Sequence, residues 1–198
     1  SVTSMTRLGA VAAAVLLLVT CTSKAPKSLV TASKPPVAQK SAKNQQPVRG
    51  VWLTTVSRLD WPPVGSIIAS SPESRISQQK LALIAKLDNL QRLGINTVFF
   101  QVKPDGTALW ESHILPWSDM LTGKIGENPG YDPLQFMLDE AHKRGMKVHA
   151  WFNPYRVSVN TKPATIAELN HTLTQVPASV FVLHRNWIRT ASDRFVLD

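Results

Sequence analysis

Cysteine is nearly absent. The 198 residues contain one, Cys21, so no intrachain disulfide holds the fold. Acidic side chains are missing from residues 1–49, which carry seven of the 22 Lys and Arg. Residues 50–198 therefore hold 15 basic residues against all 13 acidic ones, and the formal charge of +9 falls to +2 over the part expected to fold. With no basic stripe there, nucleic acid is excluded as a partner. No Gly-rich phosphate turn follows any candidate strand, which argues against a nucleotide site. The five His (113, 142, 149, 171 and 184) lack metal-ligand spacing. No Ser lies in a nucleophile elbow. Neither a metal nor a cofactor is indicated.

The N-terminal region explains itself by pattern. Arg7 is a short positive stretch, and Leu8 to Val19 is an apolar run too short for a comfortable membrane span, as in a signal peptide. Met5 is the expected initiator. Leu18-Val19-Thr20-Cys21 resembles a bacterial lipobox, although Thr20 stands where a smaller residue is usual. Residues 1–21 are thus expected to be a signal peptide ending at a lipidated Cys21; an ordinary cleaved leader is the alternative. Thr22, in place of Asp, implies sorting to the outer membrane, with the chain lipid-anchored on its periplasmic face. Residues 22–48, rich in Lys, Pro, Ser and Gln and without an apolar period, read as a flexible tether. Fully extended it would reach roughly 80–90 Å.

From Arg49 the pattern becomes strand, helix, strand, helix, strand. Arg49–Thr55, Ile95–Val102 and Met146–Asn153 read as strands. Glu73–Gly94 reads as a helix with Leu83, Leu87 and Leu90 at helical spacing, and Asp132-Pro133 opens a second helix running to Gly145. Helix-to-strand joints are short and strand-to-helix joints long, as on the active face of a (β/α) barrel. The expected fold class is therefore α/β: the N-terminal portion of a (β/α)8 TIM-type barrel, incomplete, over residues 49–198. An open doubly wound sheet is the alternative.

Strand alternation sorts the faces. Val98, Phe100 and Val102 form an apolar face suited to helices; Thr97, Phe99, Gln101 and Lys103 form a mixed one. The segment KVHAWFNPYR (147–156) runs from a strand into an amide, a phenol and a permanent cation. Those groups are expected on a rim beside Gln101 and Lys103. The candidate pocket collects Trp52, Trp61, Trp110, Trp151 and Tyr155 with Gln101, Lys103, Asp105, Glu111, Asn153 and Arg156. Aromatic faces interleaved with amides, carboxylates and a cation describe a carbohydrate site. Trp52 and Trp151 suit a barrel interior equally well. Asp105 and Glu111 lie on one loop, but glycoside hydrolysis needs two placed carboxyl groups, and spacing alone does not show that these are the pair.

The blocks RGVWLTTVSRLDWPP, NTVFFQVKPDGTALWES, ENPGYDPLQFMLDEAHKRGMKVHAWFNPYRVS and RFVLD closely resemble glycosyl-hydrolase-like family ten across residues 49–198. The resemblance implies a barrel that cleaves the glycan strands of peptidoglycan, preferring strands stripped of stem peptides, during division and septal wall remodelling. Its partners would be those strands, outer-membrane lipid through Cys21, and divisome proteins. It also implies that the chain is the N-terminal part of a longer protein whose main catalytic carboxylate lies beyond Asp198. The residues carried over by motif are substrate-binding: Gln101, Lys103, Asp105, Asn153, Tyr155 and Arg156, with Trp52 and Trp110. Two other readings stay open: a non-catalytic glycan-binding lipoprotein, and an inactive truncated fragment.

Overall fold

A computed structural model describes residues 46–198, with the backbone alone for 172–175. The signal peptide, Cys21 and nearly all of the tether fall outside the described residues. Three strands, β1 (Gly50–Leu53), β2 (Thr97–Lys103) and β3 (Lys147–Phe152), pair in parallel in the order β1-β2-β3. Helix α1 (Pro72–Arg92) connects the first pair; a short α2 (Asp119–Thr122) and α3 (Pro133–Lys143) connect the second. Beyond β3 come α4 (Pro163–Gln175), α5 (Val180–Leu183) and an antiparallel hairpin, β4 (Ile188–Ala191) with β5 (Arg194–Leu197). This is a mixed α/β arrangement with a parallel sheet, consistent with a partial α/β fold.

Helix boundaries follow from local chemistry. The Ser71 hydroxyl accepts from Ser74 N and Pro72 occupies the first turn of α1. Asp132 Oδ1 accepts from Gln135 N at 2.9 Å ahead of Pro133 in α3. Both helices end where Gly94 (φ +75°) and Gly145 (φ +70°) take the left-handed conformation that closes the last turn. Each strand then starts within three residues.

The apolar face of the sheet lies under α1 and α3. Val98, Phe100 and Val102 are fully buried with Leu53, against Leu83 and Leu87 of α1 and Met137 and Ala141 of α3. Trp61 corrects the expectation that placed it in the pocket. It is fully buried in this core, edge-on to Phe100, and its indole N–H donates to Gln79 O at 2.9 Å. Gln79 is itself buried, with its Nε2 donating to Ser66 Oγ and Leu121 O and its Oε1 accepting from Tyr131 Oη.

The opposite sheet face is an aromatic ladder. Trp52 stacks on Phe99 at 4.6 Å and meets Trp151 edge-on at 5.1 Å, and Phe99 stacks on His149. Trp52 remains 59 % exposed. Gly50 opens β1 where a methyl group would stand 2.8 Å from Phe99 Cε2. Gly50→Ala is therefore expected to lower the unfolding free energy of the full-length protein by about 1–2 kcal/mol through overpacking. Urea titration reads this directly, and an unchanged midpoint would show that the ring yields without loss.

Candidate functional site

The C-terminal ends of β2 and β3 are knotted together by side chains. The pairing slips between Gln101 and Lys103: Gln101 faces Trp151, Lys103 faces Phe152, and Val102 is the extra residue. Such bulges re-aim the side chains around them. Here Lys103 Nζ donates to Asp105 O at 2.7 Å and to Asn153 O at 3.1 Å. Asn153 replies with its backbone N–H to Lys103 O and its Nδ2 to Pro104 O, while its Oδ1 accepts from Trp151 Nε1. One lysine and one amide therefore fix the loop after β2 against the loop after β3. Burial lowers the Lys103 pKa, and the charge of Asp105 opposes that shift.

Gln101 lies beneath the rim and is fully buried. Its Oε1 accepts from Thr55 N and Val56 N, each at 2.9 Å, and its carbonyl accepts from Thr55 Oγ1. It latches the end of β1 to β2. Its Nε2 is buried without a protein partner.

Asp105 is buried in the turn just after Lys103. Thr107 N (3.0 Å) and Thr107 Oγ1 (2.6 Å) both donate to Asp105 Oδ1, an Asx turn read directly from Asp-Gly-Thr. Burial pushes the Asp105 carboxyl up to about 6; the Thr107 hydrogen bonds oppose this, Asp119 raises it further and Lys103 lowers it slightly. Asp105 lines a cavity of about 260 Å³ between the two loops and α4, with Asp119, Ser158 and Glu168 among the other lining residues. Burial also raises Asp119, while Arg58 favours its ionised form and Glu168 opposes it. The guanidinium of Arg58 donates to the backbone carbonyls of Asp119 and Met120.

The remaining expected residues are dispersed. Tyr155 is exposed on the loop after β3, where its carbonyl accepts from Leu197 N. Arg156 is half-buried and bridges Val196 of the hairpin. Trp110 meets Phe152 edge-on at 5.7 Å, whereas Trp52 sits on the aromatic ladder. Lys103, Asp105 and Asn153 thus form one unit, with Gln101 below it and the two Trp apart from it. Thr107 and Asp119 were not anticipated. The Asp-Gly-Thr turn could have revealed Thr107; nothing local marks Asp119 as a neighbour of Asp105. Among the described residues, no group of His, Cys, Asp and Glu is placed to hold a metal ion.

The sequence pattern of the family described as glycosyl hydrolase-like 10 matches residues 47–198. The chain belongs to this family. Glycosyl hydrolase DigH of Escherichia coli (strain K12) is 73 % identical over 186 residues, covering 92 % of this chain and 42 % of that protein. Its namesake in Shigella flexneri matches equally. Glycosyl hydrolase YngK of Bacillus subtilis (strain 168) is 42 % identical over 120 residues, 61 % of this chain and 22 % of the relative. The chain therefore spans less than half the length of these curated relatives.

Proposed function

We propose that the protein containing this chain is a glycoside hydrolase of peptidoglycan, acting on peptide-stripped glycan strands during cell division and septal wall remodelling. The observation that carries the reading is membership of the glycosyl hydrolase-like 10 family, joined to a rim where Lys103 and Asn153 rigidly set two loops beside a cavity. Rigid placement is what an oxocarbenium-like transition state needs from its surroundings. In this reading the parallel sheet is one wall of a (β/α)8 barrel and the aromatic ladder faces its interior. In this reading a lipidated Cys21 and the tether after it hold the enzyme on the periplasmic face of the outer membrane, within reach of the wall and of divisome proteins.

Release of new reducing ends from peptide-stripped glycan by the full-length protein tests the reading. Binding to glycan without any such release would mark a non-catalytic glycan-binding lipoprotein instead. Within that assay Arg156→Ala is expected to lower kcat/KM about tenfold, the value of one hydrogen bond to a charged group. Turnover within twofold of the parent would remove Arg156 from the substrate contacts.

A further inference from the structure

The buried carboxyl of Asp105 accepts from Thr107 but makes no hydrogen bond to a cation among the described residues. A buried acid normally has a cationic partner or is replaced by a neutral residue. The nearby cation, Lys103, directs two of its three donors to the carbonyls of Asp105 and Asn153. Both donors of Thr107 fall on one carboxyl oxygen, Oδ1, which fixes the carboxyl in its turn. A second carboxyl, Asp119 of α2, lines the same cavity, as does Glu168 of α4. The charged groups acting on Asp105 are Asp119 and Lys103; Arg58 and Glu168 act through Asp119.

We infer that Asp105 is the proton donor of the glycan site, presented to the cavity at the ends of β2 and β3, with Thr107 and Asp119 as positioning residues that set its protonation. This rests on the glycosidase reading above and names a residue for it. In the step, the Asp105 proton moves to the glycosidic oxygen, and the C1–O electron pair leaves with that oxygen as a hydroxyl. A lone pair of a water oxygen forms the new bond to C1. The water's proton passes to solvent, and Asp105 takes one back. The raised carboxyl, about 6, keeps a useful protonated fraction near neutral pH. Glycosidases use such carboxyl groups as acids.

The test is the pH profile of reducing-end release by the full-length protein. Asp105→Asn is expected to lower kcat by about 10²- to 10⁴-fold, with glycan pelleting within about threefold of the parent. Removing the Thr107 hydroxyl (Thr107→Val) takes away a donor to the carboxylate, so the alkaline limb of kcat moves to higher pH. Removing the Asp119 charge (Asp119→Asn) moves that limb to lower pH. A merely structural role predicts no such opposed pair. The assignment is overturned if Asp105→Asn keeps kcat within threefold, or if the two positioning variants leave the limb in place or shift it in one direction. Should Asp105→Asn not fold, the opposed pair decides alone. If the parent protein releases no reducing ends from any glycan, the glycosidase reading falls and this assignment with it. If the parent is active and the variants match it, only the assignment falls.

Discussion

Gln79→Leu is expected to lower the unfolding free energy of the full-length protein by about 3–5 kcal/mol. The amide is fully buried on α1 and joins three segments at once. Its Nε2 donates to Leu121 O at 2.7 Å in α2 and to Ser66 Oγ at 3.0 Å in the turn before α1. Its Oε1 accepts from Tyr131 Oη at 2.9 Å. Leucine restores the volume but none of the bonds. Ser66 Oγ still donates to Pro63 O, so its loss is small. The Leu121 carbonyl and the Tyr131 hydroxyl are left without partners, each at about 1–3 kcal/mol. Chemical denaturation of the two proteins measures the difference. A loss below about 1 kcal/mol would mean that water enters and replaces the amide.

Gln79 illustrates what local reading misses. Pattern and capping rules point to the three parallel strands and to α1 and α3, because Asp132, Gly94 and Gly145 act on their own neighbours. The alternation in β2 correctly separated the buried Val98 and Phe100 from the aromatic side carrying Phe99. Trp61 resisted this logic. In Leu-Asp-Trp-Pro-Pro it reads as a loop residue free to meet a ligand, yet the loop folds back and buries the indole against Phe100. Gln79 reads as a polar turn of helix surface, yet three separate segments converge on it. Helix α4, α5 and the terminal hairpin lie beyond the elements expected from the sequence pattern.

The rim shows the same division. Lys103 and Asn153 stand at strand ends, so their placement on a common edge follows from register. Their mutual clamp depends on the bulge at Val102, which alternation alone does not reveal. Asp105 and Asp119 are separated by a loop whose path is set by tertiary contacts, including Ala108 N to Pro116 O and Ser118 N to Ala108 O. Those two hydrogen bonds fold the loop onto itself and bring the second carboxyl to the cavity of the first. No spacing rule encodes that approach.

Replacing Asp105 by Asn is expected to stabilise the full-length protein at neutral pH while removing part of its pH dependence. In the folded chain the Asp105 carboxyl is raised from 3.8 to about 6, mainly by burial. The folded state therefore binds its proton more tightly than the unfolded state does. Its stabilising contribution is complete below the unfolded pKa of 3.8, and it is lost as pH rises through about 6. Across that window the loss amounts to about 3 kcal/mol, at roughly 1.4 kcal/mol for each pKa unit. Asparagine keeps an oxygen for the two Thr107 donors and carries no charge to desolvate. The variant should thus gain up to about 3 kcal/mol at pH 7.5 and little at pH 4. Urea midpoints taken across pH 4–8 give the two curves, and their gap should open between about 4 and 6. Parallel curves would show that Asp105 titrates alike in both states. A gap that opens as expected identifies a carboxylate kept at the expense of stability, which is the pattern left by selection for chemistry.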